Sequence, residues 1–231
     1  MTDDGLPTAR PPFEADDAGP GGSLPERESG RDPDRVGGVL LAAGTSSRFG
    51  DANKLLATVD GEPVVRRAAR TLAAAGLARI VAVVGHEAPR VRAALSDLPI
   101  ETVENDAYAA GQSASLRAGI EALSGGSGDE PAVDAAVVAL GDMPFVEPAT
   151  VETLVAAYAA GEGDALAAAH DGERGNPVLF DARFFDRLTA VDGDVGGRAI
   201  LLGSDASALV AVDDPGVRRD VDQPRDLPDD R

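Results

Sequence analysis

Apolar and polar positions change rhythm at Val36. Before it, residues 1–34 hold six Pro, five Gly, nine acidic and three basic residues, with no apolar period. Such a stretch buries too little apolar surface to offset the entropy of ordering it, so a disordered acidic Pro/Gly-rich tail is expected over 1–34. After it, short apolar runs alternate with helical stretches. The runs at 36–42, 80–84, 100–103, 135–140, 165–169 and 208–212 are predicted strands, because short apolar runs bounded by turn residues suit buried parallel sheet. Helices are predicted over 63–75, 89–96, from about 113, over 148–160 and over 197–202. Pro63, Pro89 and Pro148 open three of them, and Gly76 and Gly161 stop two. Asp60-Gly61 marks a turn and residues 125–130 a flexible surface loop. Strand and helix in alternation are the mark of βαβ units, so an α/β domain with a mostly parallel central sheet is expected over 35–228.

Composition narrows the class. The 231 residues carry a formal net charge of −19, only 3% aromatics and no Trp, so the core must be built from Ala, Val and Leu. No Cys is present, which excludes disulfides, thiolate catalysis and Cys-ligated metal. The acidity argues against nucleic-acid binding, which needs a basic face. No apolar run reaches the roughly 18–20 residues that span a bilayer. No basic region precedes an apolar stretch at the N-terminus, so no signal peptide is expected and a cytoplasmic location is. Abundant Asp, a single Lys and few large apolar residues suit a salt-adapted, halophilic proteome, where a Debye length of about 3 Å at 1 M salt screens surface repulsion.

The candidate chemistry begins where the first strand ends. Leu41-Ala42-Ala43-Gly44 leads into Thr45-Ser46-Ser47-Arg48, then Gly50 and Lys54. Small residues after a buried strand let successive backbone N–H groups form a concavity for an anion, and two cations follow to close on it. Lys54 is the only lysine in the chain beside twenty arginines, which points to a position that needs a compact ammonium rather than a planar fork. This is neither a P-loop, which needs Gly-Lys directly after the loop, nor a Gly-x-Gly-x-x-Gly dinucleotide turn. Asp142 stands in Gly141-Asp142-Met143-Pro144 at the C-terminal end of a predicted strand, the edge where open α/β sheets bind ligands. A carboxylate there suits Mg²⁺, which takes one or two protein carboxylates with phosphate oxygens. Ser113 and Ser115 stand where a helix begins, either as its cap or with their N–H groups facing phosphate or ribose. Asp222 suits either a metal ligand or the cap of a helix from Pro224. His86 and His170 are read as satisfied polar residues rather than bases.

These motifs resemble the pyrophosphorylase signature of nucleotidyltransferases, Leu-Ala-Ala-Gly-x-Ser-x-Arg-x-Gly with a later Lys. Within that superfamily, residues 36–228 are similar to molybdenum-cofactor cytidylyltransferases of the MobA-like group. The resemblance extends through Gly111-Gln112-Ser113-Ala114-Ser115-Leu116, Gly141-Asp142-Met143-Pro144, Gly175-Asn176-Pro177-Val178 and Asp220-Val221-Asp222-Gln223-Pro224. It implies a Rossmann-like, GT-A-like three-layer domain. It implies nucleotide binding by Leu41, Ala42, Ala43, Gly44, Ser46, Ser47, Arg48, Lys54, Ser113, Ser115 and Asp142, with Arg48, Lys54 and Asp142 catalytic. It also implies Mg²⁺ on Asp142 and Asp222, an acceptor pocket at Gly175, Asn176 and Pro177, and cytidylyl transfer from CTP to the phosphate of molybdopterin with release of pyrophosphate. The alternatives are a guanylyl or sugar-1-phosphate nucleotidyltransferase, or a non-catalytic chaperone that serves a molybdenum hydroxylase apo-enzyme.

Overall fold

A computed structural model describes residues 5–13, 31–46, 49–50, 52–125, 132–190 and 197–228. Ten strands lie among them: β1 (Thr8–Ala9), β2 (Val36–Ala42), β3 (Thr58–Val59), β4 (Glu62–Pro63), β5 (Ile80–Val84), β6 (Glu101–Glu104), β7 (Ala135–Leu140), β8 (Ala165–His170), β9 (Glu173–Asp181) and β10 (Ser207–Ala211). Six helices accompany them: α1 (Val64–Ala74), α2 (Ala88–Leu95), α3 (Gln112–Ser124), α4 (Pro148–Ala159), α5 (Phe185–Ala190) and α6 (Arg198–Leu202). Eight strands form one sheet in the order β1-β10-β8-β9-β7-β2-β5-β6, and β9 alone runs antiparallel to its neighbours.

Both faces of the sheet are covered, and the alternation along β2 shows how. Val36, Leu40 and Ala42 join a core with α1, α2 and α4, while Val39 joins another with α3, α5 and α6. Leu72, Leu95, Leu154, Ile120 and Leu188 come from helices on the two sides and are almost completely buried. A core poor in aromatics closes because backbones approach closely. A Cβ on Gly119 of α3 would lie 2.4 Å from Val39 Cγ1 of the central strand.

The predicted strands 36–42, 80–84 and 135–140 match the observed ones; 100–103 and 208–212 shift by one residue and 165–169 extends by one. Two elements depart from expectation. Asp171 and Gly172 adopt left-handed φ of 51° and 79°, the backbone a two-residue hairpin requires. They fold β9 back against β8, so the stretch read as a pocket motif is also a central strand. The N-terminal stretch read as a tail contributes β1, which pairs in parallel with Leu209 and Val210 of β10. Arg31 of the same stretch donates to the carbonyls of Tyr158 and Gly163 and pairs with Asp164. Residues 14–30, most of the loop at 125–130, and residues 191–196 lie outside the described residues.

Candidate active site

The connection of the chain reverses direction across the sheet at β2. From β2, the chain moves to β5 and β6 on one side, and later to β7 on the other. The C-terminal ends of β2 and β7 therefore flank a crevice, the ligand position of open α/β sheets. Lys54 enters from the loop after β2. Its backbone N–H donates to Ser46 Oγ at 3.1 Å, and Ser46 Oγ donates to Asn53 Oδ1 at 3.2 Å. Asn53 Oδ1 also accepts from Leu55 N, capping the 3₁₀ turn Lys54–Leu56. Asp142 enters from the turn after β7, where Gly141 N donates to Leu41 O at 2.9 Å and ties the two strand ends together.

Asp222 comes from the distant C-terminal segment, which is held at two points. Asp214 is 4% exposed; its carboxylate accepts from Glu147 N at 2.9 Å and Thr150 Oγ1 at 2.6 Å. Asp214 thus caps the N-terminus of α4 from far along the chain. Val221 is fully buried with Phe49, Val59 and Val64, and its N–H donates to the carbonyl of Asp142 at 2.8 Å. An extended chain points alternate side chains to one side, so burying Val221 presents Asp220 and Asp222 together.

Lys54 Nζ lies 2.7 Å from Asp142 Oδ2 and 2.6 Å from Asp222 Oδ1. Carboxylate oxygens of Asp142, Asp220 and Asp222 all lie within 4.8 Å of one another. Burial alone would lower the Lys54 pKa, but attraction and hydrogen bonds from Asp142 and then Asp222 raise it above the ordinary lysine range. Burial holds the Asp142 carboxyl above the ordinary range despite the attraction of Lys54, and the negative charge of Asp220 adds to this. Among the described residues, three carboxylates stand against one ammonium in this cluster. Asp142 Oδ1 is buried and has no hydrogen-bond partner among the described residues.

Around this cluster opens a cleft of 550 Å³, lined in part by Ala43, Gly44, Thr45, Ser46, Lys54, Tyr108, Gln112, Ser115, Asp142 and Asp222. A second cavity of 500 Å³ shares Leu41, Gln112 and Leu140 with it and is walled by Leu116, Val138, Asn176, Val178 and Phe180.

Comparison with known proteins identifies the group. Residues 38–209 match the model of the MobA-like NTP transferase domain. The chain belongs to the MobA-like NTP transferases. It is 31% identical over 172 residues to a nicotine blue oxidoreductase from Paenarthrobacter nicotinovorans, covering 72% of this chain and 81% of that one. A nucleotidyl transferase from a Methanothermobacter species superposes with a TM-score of 0.69 at 26% identity, covering 84% of this chain and 94% of that one. The Mycobacterium tuberculosis protein Rv0371c, in complex with manganese, superposes with a TM-score of 0.65 at 27% identity over 83% of this chain and 95% of that one. The bifunctional GlmU protein of Bordetella parapertussis is 34% identical over 124 residues, but the chain spans only 26% of its length.

Most of the residues that the sequence nominated in this transferase meet at the crevice. Leu41, Ala43, Gly44, Ser46, Lys54, Ser115, Asp142 and Asp222 line the first cleft. Ser46 and Ser115 spend their hydroxyls on the protein: Ser46 on Asn53, and Ser115 as acceptor from Asn105 Nδ2 at 3.0 Å. Ala42 and Ser113 are not on the cleft: the Ala42 side chain packs in the core, and Ser113 is 3% exposed in the first turn of α3. Ser47 and Arg48 lie outside the described residues. Asp222 does not cap the final turn: Gln223 takes the cap position at Pro224–Asp226, and the Asp222 carboxylate turns to Lys54. His170 Nδ1 lies 3.1 Å from Val212 O, in keeping with a satisfied polar residue. Of the three acceptor-pocket residues, only Asn176 faces the second cavity. Pleating sends Gly175 and Pro177 to the other face, where a Cβ on Gly175 would meet Val217 O at 2.2 Å. Sequence reasoning missed Asp220, although the spacing of Asp220 and Asp222 is the signal that places them together. It also missed Tyr108.

Proposed function

We propose that this transferase moves a cytidylyl group from CTP to the phosphate of molybdopterin, with Mg²⁺, in a cytoplasm of high salt. The supporting observation is Lys54 held between Asp142 and Asp222 at the crevice, beside a second, mostly apolar cavity of 500 Å³ suited to the body of an acceptor. Hydrogen-bond-ready backbone after β2 and a fixed ammonium are what phosphoryl chemistry needs, because catalysis there is positioning and charge neutralisation. The acceptor phosphate is already ionised, so its oxygen attacks the α-phosphorus without a protein base and pyrophosphate leaves. Lys54 offsets the negative charge that develops. By family habit, the Ala42-Ala43-Gly44 turn is the cytidylyl form.

The residues present fit a divalent metal. Among the described residues the cluster sets three carboxylates against one ammonium, and the buried Asp142 Oδ1 has no hydrogen-bond partner there. Asp142 and Asp222, joined by Asp220, would hold the ion. When bound, it supplies Lewis-acid stabilisation of phosphate oxygens. A second reading follows from the name of the 31% relative: oxidoreduction of the dye nicotine blue.

The test is pyrophosphate release with Mg²⁺, molybdopterin and each of CTP, GTP, ATP and UTP in molar KCl. Release with CTP alone is expected. Release with another nucleotide would move the base assignment. Silence with all four, and with sugar-1-phosphates, alongside oxidation of a reduced nicotinamide by such a dye, would establish the second reading.

A further inference from the structure

The wall of the 550 Å³ cleft carries a side chain that the phosphate chemistry does not use. Tyr108 lines it, and it is the one aromatic among the described residues that do. The whole chain has six Phe, two Tyr and no Trp. Phe49, Phe180, Phe184, Phe185 and Tyr158 are at most 9% exposed and serve the core. Tyr108 is half-buried instead, between the exposed Ala107 and Ala109, and it opens on the cleft. In a chain so poor in aromatics, a large ring kept on a wall gives up area that a core would bury.

The ring is held from beneath. Asn105 follows β6 and is buried; its Nδ2 donates to Ser115 Oγ at 3.0 Å and its Oδ1 accepts from Ala107 N at 3.0 Å. These bonds fix the approach to the 3₁₀ turn Tyr108–Ala110 and tie it to α3. Gly85, just after β5, makes room for the side chain: a Cβ on it would lie 2.8 Å from Tyr108 Cβ and 2.9 Å from Ala43 Cβ. The His86 ring leans toward Tyr108, with centroids 6.1 Å apart and planes tilted by 55°. Tyr108 is therefore preorganised, and a ligand that lies on it costs little further side-chain ordering.

The order of the strand ends sets the span of the cleft. Asp142 follows β7, Ala43 and Gly44 follow β2, and Gly85 follows β5, and these strands are consecutive in the sheet. Two strand spacings, about 10 Å, thus separate the Asp142 end from the Tyr108 end. A nucleotide with its phosphates at Lys54 and Asp142 has its sugar over Ala43 and Gly44 and its base at Tyr108. We propose that Tyr108 is the stacking platform for the nucleobase of the nucleoside triphosphate. The inference rests on the nucleotidyl-transfer reading above. Every base has a π-face, so the ring supplies affinity without choosing among bases. Being neutral, it also holds a base where salt screens the contacts to phosphate.

The experiment is calorimetric titration of the full chain with Mg²⁺ and no acceptor. The ligands are CTP, GTP, ATP, UTP and inorganic triphosphate, which has no base. The proteins are wild type, Tyr108→Ala, Tyr108→Leu, Tyr108→Phe and Tyr108→Trp. The Ala and Leu variants should raise the Kd of each nucleotide that wild type binds by about tenfold, within the range for one lost base–aromatic stack. Phe and Trp keep a ring and should stay within about twofold, as should inorganic triphosphate in every variant. A merely structural role would weaken triphosphate and nucleotide alike. A thermal melt identifies any variant that does not fold, and Tyr108→Leu, which keeps apolar bulk beneath the turn, decides if Tyr108→Ala is lost. Nucleotide binding that is unchanged in the Leu variant, or lost equally with Phe and Trp, would overturn this inference alone. Binding of no nucleoside triphosphate by wild type would overturn the proposed function and this inference with it.

Discussion

At the scale of single residues, Lys54 shows how a position is built rather than merely occupied. Its reach depends on Ser46 and Asn53 fixing the loop, and its charge on two carboxylates brought from β7 and from the C-terminal segment. Replacing it removes the ammonium that offsets developing phosphate charge. Lys54→Ala is expected to lower kcat by about 10²–10³, the range for loss of one preorganised electrostatic partner. It should also leave three carboxylates within 4.8 Å of one another without the Lys54 charge between them. The variant should therefore melt earlier than wild type without metal and gain more in Tm when Mg²⁺ is added. A melt with and without Mg²⁺ checks this; an equal gain in both proteins would separate the carboxylates from metal binding. Asp220→Asn, which leaves both Lys54 ion pairs intact, should keep kcat near wild type at saturating Mg²⁺ while raising the Mg²⁺ needed for half-activity.

Elements decide which of these residues meet. The parallel strands were legible because runs such as Val36–Ala42 and Ala135–Leu140 are short, apolar and bounded by turn residues, and their C-terminal ends mark Lys54 and Asp142 by rule. The antiparallel strand β9 was not legible as a strand. Its core-facing residues include Gly175 and Pro177, which lack strand propensity and are buried by packing against the 215–218 turn and α4. The Asp-Gly pair at 171–172 was the available cue. Asp220 was missed because its partner Asp142 is 78 residues away in sequence, and long-range packing, with Val221 buried between them, brings them together. Asp214 has the same long-range character. It caps α4 and anchors the segment that carries Asp220 and Asp222. Asp214→Ala should cost about 3 kcal/mol, since a buried carboxylate with several donors is lost. That corresponds to a Tm drop of roughly 6–12 °C for a chain of this size. Because the segment is also loosened, half-activity should need more Mg²⁺ than in wild type. A stable variant with unchanged metal dependence would show that Val221 alone positions the carboxylates.

For the whole molecule, the net charge of −19 sets up two opposing responses to salt. Surface ion pairs such as Arg66–Asp97, Arg79–Glu101 and Arg92–Glu104 weaken as salt screens them. Each exposed pair contributes at most about 1 kcal/mol, and many contribute nothing measurable. Repulsion among the excess carboxylates weakens as well, and it acts across the entire surface against the compact state. It also acts on substrate, since a nucleoside triphosphate must approach the same field. With almost twice as many acidic as basic groups, 40 against 21, the second response should dominate. Raising KCl from 0.1 to about 2 M, where the Debye length falls to a few Å, is then expected to raise Tm and to lower the KM for the nucleotide. Stability and KM should move together, because one field causes both. A series at constant pH, with sucrose as a control for surface exclusion, isolates the screening term. If Tm falls as KCl rises while the KM still improves, the ion pairs outweigh the repulsion and the acidity serves solubility. If both worsen, the surface is tuned to dilute salt and the high-salt part of the proposed function is wrong.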